Sequence, residues 1–170
     1  MLKIFNDLKP FFENNYRRIN VREYSRIVNI SPPTASKLLE KYRKQELLKK
    51  EDDRNYFYYW ANKESLLFID LSRAYHKSLL EKSGMIDYLK KELLNPVIIL
   101  FGSLSKAEAK NDSDIDLAIF TLTKKEVNLK KYEAILKRKI QLFVFKERKD
   151  VKNINLLNNI LNGYKIWGNW

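Results

Sequence analysis

The stretch Val97–Phe120, VIILFGSLSKAEAKNDSDIDLAIF, limits the fold most tightly. Two apolar runs rich in branched residues, Val97–Phe101 and Ile115–Phe120, have the length and composition of buried strands. The polar stretch between them opens on Gly102-Ser103 and closes on Asp112-Ser113-Asp114. Asp114 and Asp116 are two residues apart, so a strand points both carboxylates to one face, with Cα atoms roughly 6–7 Å apart. One or two divalent cations can bridge that spacing. Without a cation the two acids repel and raise each other's pKa. The bland alternative is a tight turn with two solvated acids at a strand entrance.

From Gly102 to Leu117, GSLSKAEAKNDSDIDL resembles the signature of the minimal nucleotidyltransferases of the DNA polymerase β-like superfamily. Gly102-Ser103, Glu108-Ala109 and Asp112-Ser113-Asp114-Ile115-Asp116-Leu117 fall on its elements without a gap. The resemblance implies a nucleotide-binding role for Gly102 and Ser103. It implies that Asp114 and Asp116 are catalytic residues that hold Mg²⁺ (or Mn²⁺) against an NTP bound as substrate or ligand. The activity it implies is transfer of a nucleotidyl group to a hydroxyl of a protein, nucleic acid or small molecule. The metals neutralise charge and orient attack on the α-phosphate in such enzymes.

The chain departs from that pattern. Family members usually carry a third carboxylate on the next strand, here Lys139–Phe145, where Gln141 stands instead. An amide coordinates weakly and cannot accept a proton at neutral pH. Glu133 and Asp150 are nearby acids in sequence that could do that work. The family also often has Arg after Gly-Ser and a Gly soon after, where this chain has Leu104 and Ala107; Lys106 and Lys110 keep positive charge at two other positions.

Composition narrows the classes further. Lys and Arg number 33 against 21 Asp and Glu, a net charge of +12 that favours a polyanionic partner, either nucleic acid or nucleotide. A Lys-rich genome bias is the bland reading of the same excess. Hydrophobic residues make up 45% and aromatics 13%, enough for a packed core. No apolar run reaches the roughly 18 residues of a membrane span. Charged residues from Asp7 onward argue against a signal peptide, and the lack of cysteine fits a cytoplasmic setting. His76 is the one histidine, expected to be half-exposed on a helix.

In chain order, Leu2–Glu13 carries a helical stripe with an expected kink or break near Lys9, before Pro10. Asn20 can cap a helix over Val21–Val28, and Ser31-Pro32 opens another over Ala35–Lys44. Ala35, Leu38, Leu39 and Tyr42 form its buried face, which leaves Thr34, Ser36, Lys37 and Lys41 outward. Leu47–Lys50, a turn over Glu51–Asn55 and Tyr56–Trp60 read as a basic hairpin. This order resembles the winged helix-turn-helix of bacterial and archaeal repressors. It implies duplex DNA as a partner, with Thr34, Ser36, Lys37, Lys41 and Arg54 near bases or phosphates. Such modules also serve in protein interaction or dimerisation.

Lys63–Lys82 reads as a helix with Ser83-Gly84 as its stop. Met85–Leu94, Lys124–Lys139 and Asp150–Leu161 read as further helices, Ile140–Phe145 as a strand and Gly163–Gly168 as a closing strand. The expected architecture is α/β (α+β): a winged helix-turn-helix over 1–62, a linker helix over 63–83 and a polymerase β-like nucleotidyltransferase domain over 84–170, with a small mixed sheet and helices on one side. A homodimer through the 63–83 helix and a protein partner are compatible with this organisation. The alternative function is a DNA-binding transcriptional regulator, or a toxin–antitoxin component, whose nucleotidyltransferase domain is weak or inactive.

Overall fold

The structure is a computed structural model that describes residues 2–53 and 56–170. It divides into two compact units, Met1–Ser72 with Ala107–Asn111, and Arg73–Lys106 with Asp112–Trp170.

The first unit contains α1 (Lys3–Glu13), β1 (Ile19–Asn20), α2 (Val21–Val28), α3 (Pro32–Lys44), β2 (Leu48–Asp53) and β3 (Tyr56–Ala61). Its sheet is antiparallel in the order β1-β3-β2. The expected break near Lys9 does not occur; α1 runs through Pro10, which is buried. Proline in a helix interior costs about 3 kcal/mol. Leu8, Phe11 and Phe12 are fully buried, and burying such side chains contributes about 1.5–3 kcal/mol each, enough to outweigh that cost.

The helix ends follow the sequence signals. The Asn20 side chain accepts from the Glu23 amide at 2.9 Å, and Asn29 closes α2 in the left-handed region at φ +54°. Ser31 caps α3, with Pro32 at its first position. Ala35, Leu39 and Tyr42 are buried, while Leu38 is half-buried. Ala107–Asn111 joins this unit through Asn15, whose side-chain oxygen accepts from the Ala109 amide at 2.6 Å while its own backbone amide donates to the Ala109 carbonyl at 2.9 Å.

The hairpin is longer and less basic than expected. β2 continues to Asp53 and carries Glu51, Asp52 and Asp53 towards its end. Glu40 of α3 accepts from Lys50 at 2.7 Å, from the Tyr59 hydroxyl at 2.6 Å and from Arg43 at 2.8 Å. Arg18 pairs with Glu51 at 2.8 Å, and Lys49 with Glu64 at 2.7 Å. Among the described residues of this hairpin, Lys49 and Lys50 are therefore both paired with acids from outside it.

Helix α4 (Leu66–Lys82) follows, starting three residues later than the sequence pattern indicates. His76 is buried at 3% exposure, against expectation, with the Tyr75 ring edge-on at 5.2 Å.

The second unit continues with α5 (Met85–Glu92), β4 (Val97–Phe101), β5 (Ile115–Phe120), α6 (Lys130–Leu136), β6 (Ile140–Phe145), α7 (Ile154–Leu161) and β7 (Tyr164–Trp167). The four strands form one mixed sheet in the order β6-β5-β4-β7, in which β5 and β6 are parallel and the other pairs antiparallel. Val97, Ile99, Phe101, Ala118 and Phe120 pack with Val151 and Ile160 on one face. Ile98, Leu100, Leu117 and Ile119, which alternate with them, are fully buried too, so the sheet is covered on both faces rather than one. Two expected helices are shorter: α6 begins at Lys130 rather than Lys124, and α7 begins at Ile154, preceded by a short 3-10 turn over Arg148–Asp150.

The Glu40 cluster generates a stability prediction. Chiefly its hydrogen bond from Lys50, and then that from Tyr59, lowers the Glu40 pKa from 4.5 to about 2. A depressed carboxylate pKa contributes stability above the unfolded value, and that contribution is lost as pH falls from 4.5 towards 2. Glu40→Gln is expected to lower unfolding free energy by about 1–2 kcal/mol at pH 7. Urea unfolding should show the gap narrowing across that acid window.

Candidate active site

The residues singled out in the second unit converge on one end of its sheet. Pairing of β4 with β5 places Phe101 opposite Asp116, so Gly102 leaves β4 beside the Asp116 carboxylate. Gly102 has φ +70° and ψ −154°, a region that is essentially closed to other residues. A Cβ added at this position would overlap the Asp116 Oδ2. Glycine is thus required twice: by backbone conformation, and by the carboxylate that occupies the space of the missing side chain.

The chain then tightens into a 3-10 turn over Ser103–Ser105. Ser105 is fully buried, and its hydroxyl donates to the Gly102 carbonyl at 2.9 Å. Arg73 Nε donates to the Ser105 carbonyl at 2.7 Å and anchors the far end of the turn. Ser103 is left half-buried at the start of the turn, next to Gly102. Lys106 is exposed and donates to Asn159 Oδ1 at 2.9 Å.

Asp114 and Asp116 flank buried Ile115 and are each half-buried. Arg138 fixes the approach to this pair, donating to the Ser113 carbonyl at 2.6 Å. Burial, and secondly the negative charge of Asp114, raise the Asp116 pKa above the ordinary carboxylate value. Parallel pairing of β5 with β6 sets Gln141 directly beside Asp116. Gln141 is exposed, and its Nε2 donates to Asp114 Oδ2 at 2.6 Å. The amide nitrogen faces this oxygen because an ionised carboxylate only accepts.

Two other acids of this unit are engaged elsewhere. Glu133 Oε1 accepts from the Ile140 amide at 2.9 Å, and Asp150 Oδ2 accepts from the Glu147 amide at 3.2 Å. Among the described residues, no group of three or more His, Cys, Asp or Glu converges on a point where a metal ion could sit. What the structure assembles is a pair of carboxylates with an amide on the adjoining strand.

The candidates in the first unit lie on α3. Thr34, Lys37 and Lys41 are exposed and Ser36 is half-buried. The Thr34 hydroxyl is within 2.8 Å of the Ser31 hydroxyl, so it is partly committed to the helix cap. Arg54 lies outside the described residues.

Sequence reasoning passed over Arg73 and Arg138, which shape the site by donating to backbone carbonyls. Nothing local marks them, because their acceptors lie 32 and 25 positions away along the chain.

Residues 84–167 match the family model described as polymerase beta, nucleotidyltransferase. The match supports a nucleotidyltransferase domain over this part of the chain and spans Gly102, Ser103, Asp114, Asp116 and Gln141. No curated protein and no solved structure matches the chain. Among the described residues, no helix is long and apolar enough to cross a membrane.

The raised pKa of Asp116 gives a test of its electrostatic state. A carboxylate that is harder to ionise when folded makes stability fall as pH rises from 3.8 through its folded pKa, and the deficit persists at neutral pH. Without divalent ions, Asp116→Asn is expected to melt higher than the unaltered protein at pH 7. Thermal melts should show the advantage disappearing below pH 3.8, where both the carboxyl and the amide are neutral.

Proposed function

We propose that the second unit binds a nucleoside triphosphate with a divalent cation at Gly102, Ser103, Asp114 and Asp116, and that Gln141 limits transfer from it. The observation that carries this reading is the contact set around Asp116: a glycine whose missing Cβ makes room for the carboxylate, a second acid beside it, and an amide on the next strand. The residues fit a cation, because Asp116 is held at a raised pKa that a nearby positive charge would relieve. When bound, Mg²⁺ or Mn²⁺ supplies charge neutralisation for the phosphates. Gly102 and the start of the Ser103 turn offer backbone and hydroxyl donors to phosphate oxygens. Asp114 and Asp116 orient what they hold, and Gln141 fixes the Asp114 rotamer through its 2.6 Å hydrogen bond.

The remaining need is a base for the acceptor hydroxyl, and Gln141 cannot fill that role. The reading is therefore a nucleotidyltransferase-like protein in which nucleotide binding exceeds turnover. Mg-NTP is expected to raise the melting temperature of the protein, since a ligand that binds only the folded state stabilises it. Asp114→Asn with Asp116→Asn should remove that rise, and an undiminished rise would refute the site. Gln141→Asp or Gln141→Glu should accelerate NTP turnover, by up to about 10²–10⁴-fold if a general base is restored. Efficient turnover by the unaltered protein, slowed by Gln141→Asp, would show that another group acts as base.

A second reading concerns residues 1–62, taken as a winged helix-turn-helix domain followed by a linker over 63–83. The order α1-β1-α2-α3-β2-β3, with its three-stranded antiparallel sheet, supports it. On this reading α3 faces duplex DNA. Lys37 and Lys41 are exposed there and form no ion pair among the described residues, which leaves them available to phosphates. A DNA-binding regulator with a nucleotide-sensing second domain is then the alternative to an enzyme. Lys37→Ala with Lys41→Ala should weaken duplex binding and flatten its salt dependence by about 2 in logarithmic slope. Mobility shifts over a salt series provide the check, and indifference to both changes would favour a protein-interaction role.

A further inference from the structure

The second unit carries another concavity, at the end of its sheet away from Gly102 and Asp116. Val97, the first residue of β4, and Phe120, the last of β5, lie at its base. Four strand steps separate Val97 from Phe101, about 13 Å, so this cleft is not an extension of the site described above. Its volume is about 970 Å³, the size of a small-molecule site.

The walls are apolar and unusually exposed. Trp170 packs against Phe120 with ring centroids 4.8 Å apart, yet stays 58% exposed. Leu94 and Leu122 are exposed at 77% and 84%. Their placement is built in rather than loose. Leu94 and the next residue, Asn95, both adopt left-handed backbone at φ +51° and +58°, a conformation that costs a leucine about 1–2 kcal/mol and that asparagine reaches more readily. The Thr121 and Thr123 hydroxyls both donate to the Leu93 carbonyl, at 2.8 and 3.1 Å, and tie the two sides of the rim together.

The polar rim is basic. Lys149 is paired with Glu147 at 2.7 Å, which cancels both charges. Arg148 stacks over the Trp170 ring at 3.9 Å, and neither it nor Lys146 forms an ion pair among the described residues. Two uncompensated cations therefore border an apolar, aromatic cleft.

We propose that this cleft binds a small anion with a flat apolar body. The body lies against Trp170 and Phe120 between Leu94 and Leu122, and the anionic group meets Lys146 and Arg148. The site is independent of the nucleotide reading and involves none of its residues. The probe of choice is 8-anilino-1-naphthalenesulfonate, an aromatic sulfonate, titrated into the full chain while amide shifts are followed by NMR. Saturable binding is expected, with shifts centred on residues 94–95, 121–123 and 146–149. Leu122→Glu should weaken it about tenfold or more by adding an acid at an exposed position. Lys146→Glu should do the same, and the neutral analogue N-phenyl-1-naphthylamine should bind more weakly. Asp114→Asn with Asp116→Asn should leave probe binding unchanged while abolishing the Mg-NTP response, so the two sites fail separately. Shifts centred on residues 102–116, or affinity indifferent to both Leu122→Glu and Lys146→Glu in variants with unaltered melting temperature, would overturn the proposal.

Discussion

The register of β5 between its two neighbours is the constraint from which the chemistry of the second unit follows. Antiparallel pairing with β4 sets Asp116 against Gly102, and parallel pairing with β6 sets it against Gln141. A shift of one residue would turn Asp116 to the opposite face and put an apolar neighbour in its place. The fully buried Leu117, Ala118 and Ile119 resist such a slip, because it would exchange the residues that each face of the sheet buries. Apolar packing along the strand thereby holds a carboxylate in a place where its own electrostatics are unfavourable.

Gln141 changes what that carboxylate pair can do. A third acid at this register would add negative charge and raise the repulsion further. The amide instead donates to Asp114, orients it and leaves the net charge of the cluster lower. Two carboxylates and an amide carry less negative charge than three carboxylates, and the amide is no proton acceptor at neutral pH. On the reading proposed above, binding and turnover are therefore separable.

Charge in the first unit illustrates how local composition can mislead. Lys49 and Lys50 give the hairpin a basic appearance, and the net charge of +12 encourages it. Folding brings Glu40 and Glu64 onto those lysines and places Glu51 and Asp53 near Arg18. The exposed pairs among them, Lys49 with Glu64 and Arg18 with Glu51, contribute little to stability. They nevertheless redistribute positive charge, and among the described residues Lys37 and Lys41 on α3 form no ion pair.

Local pattern is enough to place the strands Val97–Phe101 and Ile115–Phe120, the caps at Asn20 and Ser31, and Asp114 and Asp116 on a common face. Each rests on interactions between near neighbours: apolar continuity, a side chain reaching a nearby amide, or the two-residue repeat of a strand. The sequence also marked Gln141 as the residue beside the acids, through the family pattern. The second reason for glycine at 102 arises from strand pairing, which brings Asp116 into the space of its Cβ. Tertiary packing likewise decides the passage of α1 through Pro10, where core burial outweighs a local rule, and the burial of His76, which the helical pattern does not disclose. The cleft bordered by Trp170 joins residues from 94 to 170, and no local signal could have assembled it. Contacts between distant segments depend on how elements pack, and that information is spread over the whole chain rather than written in any one stretch.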